Sequence, residues 1–123
     1  MLTQQVYNLS FLEILDLSRN KITKIPEEIR NLTSLRFLSM VNNLLDDLPG
    51  QLADMNKLQV LKVQGNLLKY PLKHVLDLKE RDVASSELTD NEKDAAITAE
   101  LKKFLRSRQH VIALDADYSN ESR

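Results

Sequence analysis

The chain of 123 residues has no cysteine and no tryptophan, only two glycines, three prolines and two histidines. Each scarcity removes a class of function. Without cysteine there is neither a disulfide framework nor a thiolate zinc site. With Gly50 and Gly65 as the only glycines, neither a G-x-x-x-x-G-K nor a G-x-G-x-x-G phosphate cradle can be built. His74 and His110 stand far apart, outside H-x-x-x-H and H-E-x-x-H spacing, which argues against a metal centre. The serines have no histidine or acid that the chain pattern would bring close, so no nucleophilic triad is expected. Charge of one sign is also lacking. Seventeen basic against 18 acidic residues leave a net charge of −1, which gives no electrostatic ground for binding nucleic acid or an anionic membrane. No apolar run approaches the roughly 18 residues of a membrane-spanning helix, so no membrane insertion is expected. Met1-Leu2-Thr3-Gln4-Gln5 has neither the basic nor the apolar segment of a secretory signal. The expectation is a non-enzyme with no catalytic residue, cofactor or metal.

What the chain does contain is a repeat. Leu12, Leu15, Leu17, Asn20 and Ile22 align with Leu35, Leu38, Met40, Asn43 and Leu45, and these with Leu58, Leu61, Val63, Asn66 and Leu68. Every column is offset by 23 residues, and every row reads L-x-x-L-x-L-x-x-N-x-L with Met, Val or Ile in some leucine places. The linking segments align as well: Ile25-Pro26, Ile29 and Leu32 with Leu48-Pro49, Leu52 and Met55. A period between about 20 and 29 with this pattern is the signature of a leucine-rich repeat solenoid.

The L-x-L step of each row has the period of two that sends alternate side chains to one face of a strand. No single coil can bury its apolar side alone, so coils must stack to close a core. The asparagine after each strand suits a scaffold role, its amide satisfying backbone groups of neighbouring coils. The unit L-P-x-x-[IL]-x-x-[LM]-x-x-L-x-x-L-x-[LM]-x-x-N resembles the 23-residue class of intracellular leucine-rich repeats, typified by Ras-suppressor-like scaffold proteins. The resemblance covers roughly residues 2–108. It implies a right-handed α/β solenoid, with a short parallel sheet on the concave side and turns or short helices on the convex side. Secreted relatives close their ends with disulfide-bonded caps, which this chain cannot form, so a cytoplasmic location is expected. The N-x-[ST] sequences at Asn8 and Asn31 arise from the repeat pattern itself; a third lies at Asn120.

In chain order, Leu2, Val6 and Leu9 fall in the columns of Ile25, Ile29 and Leu32. Residues 1–71 are therefore read as about three coils, the first incomplete. Leu2, Val6, Leu9, Leu12, Leu15 and Leu17 are expected to line an open edge, each forgoing burial worth roughly 1.5–3 kcal/mol. Such an edge suggests further repeats on that side or edge-to-edge self-association. Residues 23–33 and 46–56 are the convex returns, with Pro26 and the acids Glu27 and Glu28 suited to a first helical turn. Leu72, Val75 and Leu76 begin a helical spacing, Lys79–Thr89 reads as a polar loop, and Thr89-x-x-Glu92 is a capping box. An amphipathic helix follows over about 90–108, with Ile97, Leu101, Phe104 and Leu105 on one face. Asn66, Pro71, Val75, Leu101 and Phe104-Leu105 are similar to the closing segment of the same class, and fungal scaffolds of cell-polarity signalling look similar through repeat and cap. Residues 72–108 are thus expected to form a C-terminal helical cap over Leu61, Val63 and Leu68. The tail 109–123 is expected as an added strand or a flexible end.

Alternation places Ile14, Asp16 and Ser18, then Phe37, Ser39 and Val41, then Val60, Lys62 and Gln64 on the outward face of the strands. Strands about 4.8 Å apart stack these into ladders, Ile14–Phe37–Val60 flanked by Val41, and Asp16–Ser39–Lys62. An aromatic beside aliphatics with charges around it suits an interface. The candidate partner-binding set is Ile14, Asp16, Phe37, Ser39, Val41, Val60, Lys62 and Gln64. Three strands of about five residues give a patch of only roughly 250 Å², against about 800 Å² per partner in a stable interface, so further surface is required. The function expected is an intracellular signalling or assembly scaffold that binds another protein. The resemblance implies settings among small GTPase, kinase or phosphatase assemblies. The alternatives are a regulatory segment of a larger multidomain enzyme such as a cyclase or kinase, and a non-functional fragment of a longer array.

Overall fold

The structure, a computed structural model, describes residues 4–121, with side chains over 5–108. Leu2, expected on the open edge, lies outside the described residues. Three short strands, β1 (Ile14–Asp16), β2 (Phe37–Ser39) and β3 (Val60–Lys62), lie in sequential order in one parallel sheet. The register is the repeat itself: Leu15 opposes Leu38 and Leu38 opposes Leu61. Each strand is short because a turn follows it. Arg19, Asn42 and Gly65 share one column of the repeat, and all three adopt the left-handed backbone that reverses the chain, with φ of 60°, 60° and 75°.

The turns are held by the asparagines. Asn43 Nδ2 donates to its own coil at Met40 O and to the preceding coil at Leu17 O, while its Oδ1 accepts the Ile22 N–H. Asn66 repeats the arrangement one coil on, donating to Val63 O and Met40 O and accepting the Leu45 N–H. One amide thus satisfies backbone groups of two coils, which fixes their spacing. The opposite side of each coil returns through a 3-10 helix, Gln4–Asn8, Glu27–Asn31 and Gly50–Asp54, with Pro26 and Pro49 just ahead of the second and third. Between sheet and returns Leu32, Leu35, Leu38, Leu45 and Leu52 are fully buried, and with Ile29, Leu48, Leu58 and Leu61 they make one continuous core.

After β3 come α1 (Leu72–Ala84) and α2 (Asp90–Glu121). The expected loop over Lys79–Thr89 is shorter than its polar sequence suggests. α1 continues to Ala84 because Val83, two turns beyond Leu76, drops into the core. The expected capping box is formed: the Glu92 N–H donates to Thr89 Oγ1 at 3.2 Å and the Thr89 N–H donates to Glu92 Oε1 at 2.9 Å. Hydrogen bonding of the carboxylate by the Thr89 N–H, and then by the Thr89 hydroxyl, holds the Glu92 carboxyl below its ordinary value. Residues 109–121, expected as a strand or a flexible tail, continue α2.

α2 packs on α1, on β3 and on the 3-10 helix Gly50–Asp54, burying Ile97, Leu101 and Leu105. It also hydrogen-bonds the backbone of the last coil. Thr98 Oγ1 accepts the Leu61 N–H of β3 at 2.8 Å. Lys102 Nζ donates to Met55 O and Leu58 O, Arg106 to Ala53 O, and Arg108 to Leu48 O. Thr98, Lys102 and Arg106 recur every four residues and so share one helix face, laid along the backbone of the last coil. Leu61 and Val63 are fully buried beneath this cap, and Leu68 nearly so. Among the described residues no helix is long and apolar enough to cross a membrane.

Candidate binding surface

The expected ladders are present in register. Ile14 opposes Phe37 and Phe37 opposes Val60; Asp16 opposes Ser39 and Ser39 opposes Lys62. The two ladders differ in what they leave free. Ile14 is 66% exposed, and Phe37, Val60 and Val41 are half-buried. This apolar ladder opens directly to solvent.

The polar ladder is largely committed within the molecule. Ser39, expected to face outward, is 4% exposed, and its hydroxyl hydrogen-bonds that of Ser18 at 2.7 Å. A small side chain between two strands is covered by its neighbours even when it points away from the core, so Ser39 does not offer a contact. The Asp16 carboxylate accepts both the Ser18 hydroxyl and the Ser18 N–H. Those two bonds, the hydroxyl first, hold it below the ordinary carboxylate value. Lys62 Nζ lies 3.4 Å from the Asp94 carboxylate on α2 and 5.9 Å from the centre of the Phe37 ring. Gln64 Nε2 donates to Glu80 on α1 at 3.0 Å. Both side chains therefore tie the sheet to the cap. Glu13 and Arg36, an exposed pair 3.4 Å apart, sit at the entrance to β1 and β2.

Sequence reasoning did not foresee the continuation of this surface past β3. A groove of about 580 Å³ lies between Gln59–Val60 and α2, lined from the helix by Asn91, Ala95, Thr98, Ala99 and Lys102. Val60 belongs both to the apolar ladder and to the groove. The signal was the pair of alanines one turn apart on α2, on a face distinct from Ile97, Leu101 and Leu105. Burial lowers the Lys102 ammonium from its usual value, with Arg106 adding to the effect. Among the described residues no group of three or more His, Asp or Glu side chains is placed to hold a metal ion.

At the other end of the sheet, Phe11 is 90% and Leu9 50% exposed, while Val6, Leu12, Leu15 and Leu17 are half-buried. Tyr7, unmarked by any column of the repeat, is 5% exposed against Ile25, Pro26 and Ile29, and its hydroxyl has no hydrogen-bond partner among the described residues.

The family described as Leucine Rich repeats (2 copies) matches residues 10–53. No curated protein matches the chain. Among solved structures, a leucine-rich repeat protein of Leptospira interrogans aligns with 68% of this chain at 32% identity and a TM-score of 0.54. The chain spans 20% of that protein's length. Repeat, register, asparagine turns and these matches agree: the fold of this chain is that of the leucine-rich repeat proteins.

Proposed function

We propose that the chain is a non-enzymatic protein-binding module whose contact surface is the Ile14–Phe37–Val60 ladder together with the groove along α2. The observation that carries this is the continuity of the two. The ladder is open at Ile14 and ends at Val60, which also lines the groove against Ala95 and Ala99. The sheet alone falls well short of the area a stable complex covers, and the groove extends it. Aromatic and aliphatic side chains at the centre, with the Glu13–Arg36 and Lys62–Asp94 pairs beside them, form an apolar core and a charged rim. Val41 joins the contact set; Asp16, Ser39, Lys62 and Gln64 act as supports.

Leucine-rich repeat proteins generally act by binding other proteins, and the 23-residue period is similar to that of the Ras-suppressor-like class. On that likeness the module works as a cytoplasmic signalling or assembly scaffold, with a small GTPase or a kinase or phosphatase component as its partner. A second reading, a regulatory segment of a larger enzyme, draws on the greater length of the Leptospira structure. The test is affinity capture with wild type and a Phe37→Glu/Val41→Lys variant, both first shown to fold by circular dichroism. A partner held by the wild type and lost by the folded variant supports the ladder. Equal capture by both removes it.

A further inference from the structure

Resting on the contact surface described above, we propose that its groove receives an acidic segment of a partner protein. In that segment an apolar side chain lies against Val60, Ala95 and Ala99, and a neighbouring Asp or Glu carboxylate meets Lys102. The chemistry of the groove walls specifies this occupant. Val60 is half-buried and Ala95 and Ala99 are exposed, so the walls are apolar and open. Gln59 and Asn91 are uncharged, and the Thr98 hydroxyl is spent on the Leu61 N–H and on Asp94 O. Among the lining residues the one charge is the Lys102 ammonium.

That ammonium is half-buried and is oriented without being neutralised. Two of its N–H groups donate to Met55 O at 2.8 Å and Leu58 O at 3.1 Å. The third has no acceptor among the described residues. Carbonyl dipoles orient a cation, but an anion is needed to cancel its charge. Lys62, beside the groove, shows the contrast, with the Asp94 carboxylate 3.4 Å away. Lys69, Lys73, Lys79 and Arg108 are likewise paired with aspartates. Among the described residues no carboxylate stands within ion-pair distance of Lys102 or of Arg106. Arg106, one turn further along α2, donates to Ala53 O at 2.7 Å. Like charges four residues apart on a helix repel each other, and Arg106 adds to the burial that lowers the Lys102 ammonium. An anion bound at Lys102 relieves both effects.

Other occupants fit less well. A basic segment is repelled by Lys102 and Arg106. A wholly apolar one buries the ammonium further and brings no counter-charge, so the desolvation penalty goes uncompensated. Arg106 continues the positive charge past Lys102, which attracts a chain that runs on rather than one that ends there. The carboxylate is therefore that of a side chain.

The experiment uses the full chain and short peptides blocked at both ends, each with a Leu or Phe flanked by Asp, by Asn or by Lys. Amide shifts in NMR spectra locate binding, and titration gives the affinity. The Asp peptides should bind roughly tenfold or more tighter than their Asn counterparts, shifting the Ala95 and Ala99 amides, with the Lys peptides weakest. Lys102→Met, once shown by circular dichroism to fold, should bind Asp and Asn peptides alike. Ala95→Tyr fills an exposed wall, leaves the Lys102 bonds alone, and should weaken binding of the Asp peptides several-fold. Equal affinity for Asp and Asn peptides in the wild type overturns the proposal, as does an Asp preference that survives in folded Lys102→Met. Unchanged binding by Ala95→Tyr, no binding by any peptide, or a preference that needs a free terminal carboxylate also overturns it. Failure of the ladder reads out separately, because Phe37→Glu/Val41→Lys lies outside the groove and its loss of capture does not depend on the charge of a peptide.

Discussion

The Thr98 hydroxyl accepts the Leu61 N–H at 2.8 Å and donates to Asp94 O at 2.8 Å, so one α2 side chain completes the outer edge of β3. Both atoms of that O–H group are used, and Thr98 is 1% exposed. Thr98→Val keeps the shape and removes the hydroxyl, leaving the Leu61 amide without a partner where water does not reach. The expected cost is about 1–3 kcal/mol. Urea unfolding reads it as a lower midpoint with an unchanged slope; an unaltered midpoint would show that the cap does not depend on this bond.

A Cβ at Gly65 would overlap Asn42 Oδ1, and Gly65 has a φ of 75°. Two separate penalties follow from Gly65→Ala, left-handed backbone strain of about 1–2 kcal/mol and displacement of the Asn42 amide. Together they should cost roughly 2–3 kcal/mol. Adding Asn42→Gly removes the overlap and leaves the strain, so the double variant should recover part of the loss. A double-mutant cycle measures the coupling; strictly additive effects would contradict the overlap.

The Tyr7 hydroxyl is buried without a partner among the described residues, so Tyr7→Phe should stabilise the fold by about 1 kcal/mol. Burial, then the charge of Glu28, raises the Tyr7 hydroxyl above its ordinary value of 10.0. The folded state therefore holds this proton more tightly than the unfolded chain does. Its contribution is intact below pH 10.0 and is lost as pH rises from there through the folded value. Wild type should lose stability relative to Tyr7→Phe across that alkaline window. The difference between the two proteins isolates the Tyr7 hydroxyl, and parallel pH profiles would refute the assignment.

Strands, asparagine turns and ladder register were legible because each is a local pattern repeated in place, so Leu15, Leu38 and Leu61 announce one another. Helix length in the cap was not. Residues 79–82 are all charged, although Lys79 and Glu80 are half-buried, and only Val83 signals that α1 continues. Alternation placed Ser39 outward but could not report its cover, which depends on the Ser18 hydroxyl of the neighbouring coil. The groove at Ala95 and Ala99 was hidden for a related reason, since it exists only where α2 meets Gln59–Val60.

Adjacent lysines on α2 separate local sequence from tertiary role. Lys102 donates to Met55 O and Leu58 O, carbonyls of a coil more than forty residues earlier, while Lys103 is exposed. Residue type does not separate the two, because backbone carbonyls leave no mark in the sequence. Lys102→Met retains the apolar stem and removes the ammonium, leaving Leu58 O without this donor while Met55 O keeps the Leu58 N–H. A loss of about 1–3 kcal/mol is expected, against less than about 0.5 kcal/mol for Lys103→Met. Chemical unfolding of the two variants side by side measures the difference. Equal losses would mean that α2 is held by its apolar face alone, through Ile97, Leu101 and Leu105, and that its cations do not join the cap to the coil.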